Sequence, residues 1–196
     1  MRVIAGEFRS RLLKSIPGEA TRPTPDRLRE TLFDILAPRI AGATFLDAYA
    51  GTGAVGIEAL SRGASHAFFL ERNRTALEAI GENLARLRLE RRSTVVPGPV
   101  LLSLDRHPAG IVFLDPPYDR EREYPAAMET LGAMAPGLVI VQHSIRLEMA
   151  EAYGKLRRMR MVRQGDNALS FFAPVEEGCP AGRDHGRDVK ADPPDG

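Results

Sequence analysis

LDAYAGTGAVGIEALSRGA occupies residues 46–64. An apolar run ends in Asp47, a glycine loop (Gly51, Gly53, Gly56) follows, and an apolar helical pattern runs on to Gly63. Gly51 and Gly53 allow a tight turn and close approach of the backbone to a ligand, and Gly56 allows helix and strand to pack closely. A strand ending in such a loop and leading into a helix is the first unit of a nucleoside-binding α/β sheet.

The chain on either side repeats that unit. TFLDAY (44–49), AFFLE (67–71), STVV (93–96), GIVFLD (110–115) and GLVIVQ (137–142) read as strands. They are nearly continuous apolar runs, the signature of parallel strands buried on both faces. Residues 54–62, 73–89 and 123–134 read as helices, the second with Ala76, Leu77, Ile80, Leu84 and Leu87 on one side. VLLSL after residue 99 reads as a short helix, as does the stretch 145–152. KLRRMRMVR and ALSFFAP, ending at Pro174, read as a closing antiparallel pair. Before the repeats, RVIAG and RSRLLKS form a hairpin pattern. A helix follows, with Thr24 as N-cap, Pro25 at its first position and Pro38 at its end. The expected fold class is α/β and Rossmann-like: a seven-stranded, mostly parallel sheet with helices on both faces, plus an N-terminal β-hairpin and helix. The expected division is an extension over 1–40, a core over 41–173 and a disordered tail over 174–196, which lacks Leu, Ile, Phe, Met and Tyr.

Composition bounds the function. The 196 residues are 43% hydrophobic and 27% charged, with net charge +1 and a single cysteine, Cys179. No disulfide within the chain and no cysteine-based metal cluster can form, and no metal site is expected. No apolar run reaches the ~18 residues of a membrane helix. The start shows no apolar segment of the secretory type, so a cytoplasmic, monomeric protein without a membrane partner is expected. The small net charge argues against a nucleic-acid coat, but it averages regions of opposite sign. Residues 1–29 carry +4 and the tail carries −3. Arg2, Arg9, Arg11, Lys14 and Arg29 are candidate phosphate contacts. Lys155, Arg157, Arg158, Arg160 and Arg163 form a second basic cluster, which reads as the wet face of an edge strand.

Two constellations carry chemistry. Glu71 ends the second strand, 20 residues after Gly51, where a carboxylate can accept hydrogen bonds from both hydroxyls of a ribose. Asp47 lies at the carboxyl end of the first strand, where it would repel a pyrophosphate but suit a cationic cofactor with an amino group. S-adenosyl-L-methionine fits that description and NAD does not. The second constellation is Asp115-Pro116-Pro117-Tyr118, at the carboxyl end of the GIVFLD strand. The exocyclic amine of a base is a poor nucleophile because its lone pair is delocalised into the ring. The Asp115 carboxylate and the Pro116 carbonyl can each accept one of its N–H groups, directing the lone pair at an electrophile. Pro117 stiffens the exit, and Tyr118 can stack on the base, worth ~1–3 kcal/mol.

These motifs resemble those of class I S-adenosylmethionine-dependent methyltransferases. Arg2-Val3-Ile4-Ala5-Gly6, Arg22-Pro23-Thr24 and Arg29-Glu30-Thr31-Leu32-Phe33-Asp34 are similar to the start of the bacterial 16S rRNA guanine-N2 methyltransferase family, which modifies guanine 966. The resemblance spans residues 1 to about 173. It implies methylation of a guanine N2 amine in 16S rRNA, within the small subunit or its assembly intermediate. It implies cofactor binding by Asp47, Gly51, Thr52, Gly53, Glu71 and Arg72, with Arg22 and Thr24 near the methionine end. It assigns Asp115, Pro116, Pro117 and Tyr118 to catalysis. The chain departs from the pattern at Pro97-Gly98-Pro99-Val100, where an acid or Asn often meets adenine, and at Gln142-His143, where an acid often ends the fifth strand. A DNA adenine-N6 or cytosine-N4 methyltransferase and a non-catalytic RNA-binding protein are the alternatives.

Overall fold

Residues 1–16, 26–117 and 121–175 are described by the computed structural model. The five apolar runs of the repeating unit and the closing pair become strands, and all of them join one eight-stranded sheet, while VLLSL forms short 3-10 turns. Along the chain the elements are α1 (Asp26–Ile40), β1 (Thr44–Ala48), α2 (Ala54–Ser61), β2 (His66–Glu71), α3 (Arg74–Leu87), β3 (Ser93–Pro97), β4 (Ile111–Leu114), α4 (Glu123–Met134), β5 (Leu138–Ser144), β6 (Ala152–Tyr153), β7 (Leu156–Gln164) and β8 (Asn167–Pro174).

The sheet order is β3-β2-β1-β4-β5-β8-β7-β6. The first five strands in that order are parallel, and β8 runs antiparallel to both β5 and β7. The chain leaves β1 toward β2 and β3, then returns to place β4 on the other side of β1. The carboxyl ends of β1 and β4 therefore flank a topological switch point, the crevice where open α/β sheets bind ligands.

Two cores sandwich the sheet. One lies under α1, α2 and α3 and includes Leu32, Phe33, Leu36, Phe45, Phe69 and Phe113. The other lies under α4 and includes Leu46, Leu114, Tyr124, Met128, Leu131 and Phe172. All eight residues of α2 are buried. It can lie this close to the sheet because Gly56 has no side chain: a Cβ there would come within 2.3 Å of the Phe69 ring.

The N-terminal residues form a ribbon lying across α2 and α3. Arg2 and Leu12 bridge antiparallel, and Val3 N–H donates to the Arg11 carbonyl at 3.0 Å. Buried Glu58, in the middle of α2, accepts the N–H groups of Ile4 (2.7 Å) and Ala5 (3.0 Å) and pairs with Arg62 at 2.8 Å. Ser61 Oγ accepts from Phe8 N–H and donates to the Ala5 carbonyl. Arg92 reaches Glu7 and the Leu60 and Ala64 carbonyls.

Four expectations change. The sheet has an eighth, two-residue strand, β6. The hairpin is a ribbon closed by one bridge and flanking hydrogen bonds rather than two regular strands. Helix α1 continues through Pro38 to Ile40, since only one N–H is lost in its last turn and Ile40 is buried. No helix forms at 145–152. There the Ala150 N–H, which a helix would give to the Arg146 carbonyl, donates to the Tyr153 hydroxyl, and the Glu151 carbonyl accepts the Arg158 N–H of β7, so partners outside the segment take the groups a helix needs. Thr24, Pro25 and the tail beyond Val175 lie outside the described residues.

Candidate active site

The glycine loop is held from both sides by carboxylates that the strands deliver. Asp47, next to the last residue of β1, is 2% exposed, and its Oδ2 accepts the Gly56 N–H at 2.8 Å in the first turn of α2. Glu71, the last residue of β2, accepts the Gly51 N–H at 2.8 Å with Oε2 and the Arg72 and Asn73 N–H groups with Oε1. Burial pushes the Asp47 carboxyl well above the usual carboxylate range. The Gly56 hydrogen bond opposes this, and the charges of Asp115 and Glu71 add to it. Three carboxylates thus share one electrostatic environment.

Gly51 has φ +55° and open space where a side chain would stand. Tyr49, just ahead of it, also takes a left-handed φ of +65°, uncommon for a residue with a side chain. Strain of this kind collects at functional sites.

On the other side of the switch point, β4 ends at Leu114 and delivers Asp115, half-buried, followed by buried Pro116 and exposed Pro117. The Asp115 N–H reaches back to the Ala48 carbonyl at 3.4 Å, tying the exit to the end of β1. The Pro116 carbonyl lies 3.2 Å from the hydroxyl of Tyr124, on α4, and that hydroxyl is also 3.2 Å from the Gln142 carbonyl on β5. The phenol is buried and spans the strand exit, α4 and β5.

The structure brings together Asp47, Gly51, Thr52, Gly53, Glu71, Asp115, Pro116 and Pro117. Arg72 stands exposed beside Glu71. Arg22, Thr24 and Tyr118 lie outside the described residues. Gln142 and His143 are buried, and His143 is fully partnered by Ser170 Oγ and the Ser144 carbonyl, each at 2.8 Å. Burial lowers its pKa. This is a structural histidine.

Arg2, Arg9, Arg11 and Lys14 are exposed on the ribbon, Lys14 next to Glu82 at 2.5 Å. Arg29 is a correction. It is 1% exposed and donates to the Arg2 carbonyl (2.7 Å) and to Asp26 (3.0 Å), so it cannot grip a phosphate. With Leu32, Phe33 and Leu36 it falls at helical spacings i, i+3, i+4 and i+7, on the face that packs. Burial lowers its pKa, against the pull of Asp26 and Glu58.

Sequence reasoning missed Glu58, Asn83 and Tyr124. Glu58 left a signal: a lone acid inside an otherwise apolar helix needs a buried partner. Asn83 is buried on α3, accepts the Lys14 N–H at 2.7 Å and donates to the Thr52 carbonyl at 3.1 Å. It joins the ribbon directly to the glycine loop. It too sits on an apolar helix face, beside Ile80, Leu84 and Leu87. Tyr124 left no signal.

S-adenosyl-L-methionine fits what is built here. The three carboxylates favour a ligand with cationic sulfur and ammonium groups, Glu71 ends β2 where a carboxylate can meet a ribose, and Gly51 leaves open space above the loop. Sheet order, the loop after β1 and the Asp-Pro-Pro exit after β4 define a class I methyltransferase.

Among solved structures, "Putative methyltransferase yhhF" from Escherichia coli matches with 33% identity and a TM-score of 0.77, over 89% of this chain and 97% of that one. The chain belongs to the family described as Conserved hypothetical protein 95, whose sequence pattern matches residues 1–173. "Putative rRNA methyltransferase YlbH" of Bacillus subtilis is 32% identical over 88% of this chain and 98% of its own length. Ribosomal RNA small subunit methyltransferase D of Escherichia coli is 42% identical over 121 residues, 61% of either chain. Among the described residues no helix is long and apolar enough to cross a membrane, and no group of side chains could hold a metal ion.

Proposed function

We propose that this enzyme methylates the N2 amine of a guanine in 16S rRNA, of the guanine 966 type, with S-adenosyl-L-methionine as donor. The placement of the Asp115 carboxylate and the Pro116 carbonyl at the carboxyl end of β4, beside the loop held by Asp47 and Glu71, carries the reading. The names of the relatives above supply the RNA.

When bound, the cofactor supplies an electrophilic methyl group on a sulfonium. Glu71, with Gly51 locked to it, offers carboxylate oxygens to the ribose. Asp47 fixes the first turn of α2 and adds buried negative charge beneath the ligand. Arg22 and Thr24 serve the methionine end.

Asp115 and the Pro116 carbonyl would each accept one N–H of the guanine amine and so direct its lone pair toward the electrophile. One amine proton would leave to Asp115 or to water as the amine takes up the methyl group. Tyr118 stacks on the base, which must be flipped out or presented in a loop. The rate comes from positioning and electrostatics. Arg2, Arg9, Arg11 and Lys14 hold phosphates without reading sequence. Residues 1–40 are the RNA-facing extension, 41–173 the catalytic core and 174–196 a tail outside it. The enzyme acts as a monomer, in the cytoplasm, on the small subunit or its assembly intermediate.

Incubation with labelled S-adenosyl-L-methionine and small subunits from cells lacking the modification, followed by nucleoside analysis, tests this. The expected product is N2-methylguanosine in 16S rRNA. Methylation confined to adenine or cytosine, or no transfer to a competent substrate, overturns it.

A further inference from the structure

The basic cluster of β7 has no part in the site described so far, and the sheet gives it an unusual place. Strand β6 pairs only with Leu156 and Arg157, and the Arg158 N–H donates to the Glu151 carbonyl, so among the described residues β7 from Met159 onward is the free edge of the sheet. Arg160 and Arg163 are exposed on it, and Arg146 is exposed on the turn after β5, which is joined to the β7–β8 turn by the Ile145 N–H and the Asp166 carbonyl. None of these three guanidinium groups meets an acid among the described residues, whereas Arg158 is taken up by Glu151. Met159 and Met161, also exposed, lie between the arginines.

The register sets the distance to the reaction. Leu114 pairs with Val141, so Asp115 lies level with Gln142. Gln142 pairs with Leu169, and Leu169 with Val162. Val162 is thus level with Asp115, three strand spacings away, or about 14 Å. Arg163 is one residue further toward the carboxyl ends of β4 and β5, on the rim of the catalytic crevice.

Charges on an edge strand also prevent edge-to-edge pairing, but either sign serves that end. Here all are positive, from Lys155 to Arg163, in a core of near-zero net charge. Unpaired guanidinium groups on a rigid strand, with apolar side chains between them, match a polyanion that also offers flat bases.

We propose that the outer edge of β7, with Arg160, Arg163 and Arg146, is a second RNA contact, gripping backbone phosphates of the rRNA segment that flanks the target nucleotide. This rests on the rRNA reading above. With Lys14, whose N–H bonds to the Asn83 that holds the Thr52 carbonyl of the glycine loop, it places cations on both sides of the crevice. The substrate is thereby held across the catalytic end of the sheet.

The test is the double variant Arg160→Ser/Arg163→Ser, assayed with undermethylated small subunits and with protein-free 16S rRNA. Both side chains are exposed and meet no acid among the described residues, so the melting temperature should match wild type. The expected result is a rise of about tenfold in KM for both RNA substrates, with kcat and cofactor affinity unchanged. The salt slope of binding should become shallower by about 0.7–0.9 for each phosphate the variant no longer neutralises. Unchanged KM and slope overturn the proposal. So does a weakening seen with subunits but not with protein-free rRNA, which would assign the edge to a ribosomal protein. If wild-type enzyme methylates neither substrate, the rRNA reading itself has failed. If wild type is active and the variant is unimpaired, the β7 contact alone has failed.

Discussion

The two halves of the crevice are built differently. On the cofactor side, backbone N–H groups of the glycine loop and of the turn after β2 are captured by Asp47 and Glu71, carboxylates of adjacent strands. On the acceptor side, the Asp115–Pro117 exit has no N–H groups at its prolines, and beyond the Asp115 N–H on the Ala48 carbonyl its Pro116 carbonyl meets a phenol from α4. Preorganisation by backbone is written in glycine and acid spacing. Preorganisation by a distant side chain depends on how the chain folds back.

Substitutions on each side can break this contrast. The largest effect is expected from Asp115→Ala, which removes an acceptor for the amine. Methyl transfer should fall by at least about a thousandfold, while cofactor affinity measured by calorimetry stays within a few-fold. Near-normal turnover would show that the acceptor geometry is wrong.

Next comes Glu58→Ala, which strips a buried carboxylate from Arg62 and from the Ile4 and Ala5 N–H groups. The destabilisation should be about 3 kcal/mol in a urea titration, together with protease sensitivity of the ribbon. A value below about 1 kcal/mol would mean that the ribbon is not clamped through α2.

Tyr124→Phe deletes only a hydroxyl. A drop of about tenfold in kcat is expected, worth about 1.4 kcal/mol, with cofactor KM unchanged. If stability falls and kcat does not, the phenol supports the core and not the exit.

The smallest effect should come from Asp47→Asn, and it is a gain. A folded pKa raised above the unfolded value of roughly 4 makes the native state favour the protonated form. The stability linked to that form is complete below about pH 4 and is lost as pH rises through the folded pKa. Asn keeps an acceptor for Gly56 without the charge. Its melting temperature should therefore exceed wild type at neutral pH, with the advantage vanishing toward about pH 4, while cofactor binding weakens. A pH-independent difference would contradict this.

The same contrast marks what the residues disclosed in advance. Strands β1, β2, β4 and β5 and the cofactor carboxylates were legible because buried parallel strands are continuous apolar runs and a glycine loop has fixed spacing. The turn after β5 was misread because the Ala150 N–H, which a helix would give to the Arg146 carbonyl, goes to the Tyr153 hydroxyl, and the Glu151 carbonyl is taken by β7; local composition does not register that competition. Arg29 was misassigned by counting charge along the chain without asking which helix face it occupies. Tyr124 could not be found, since its two carbonyl partners lie 8 and 18 residues away on different elements.

The ribbon has a consequence for how the enzyme comes into being. Its docking partners, Glu58, Ser61, Asn83 and Arg92, lie some 53 to 85 residues further along the chain. Contacts of such long range form late. During synthesis the ribbon must wait, unseated, until α2 and α3 have emerged and packed. Asn83 then closes it onto the Thr52 carbonyl. A nascent chain can therefore present its ordered N-terminal cations only after the glycine loop has been assembled beneath them, so that a seated ribbon reports a finished cofactor site.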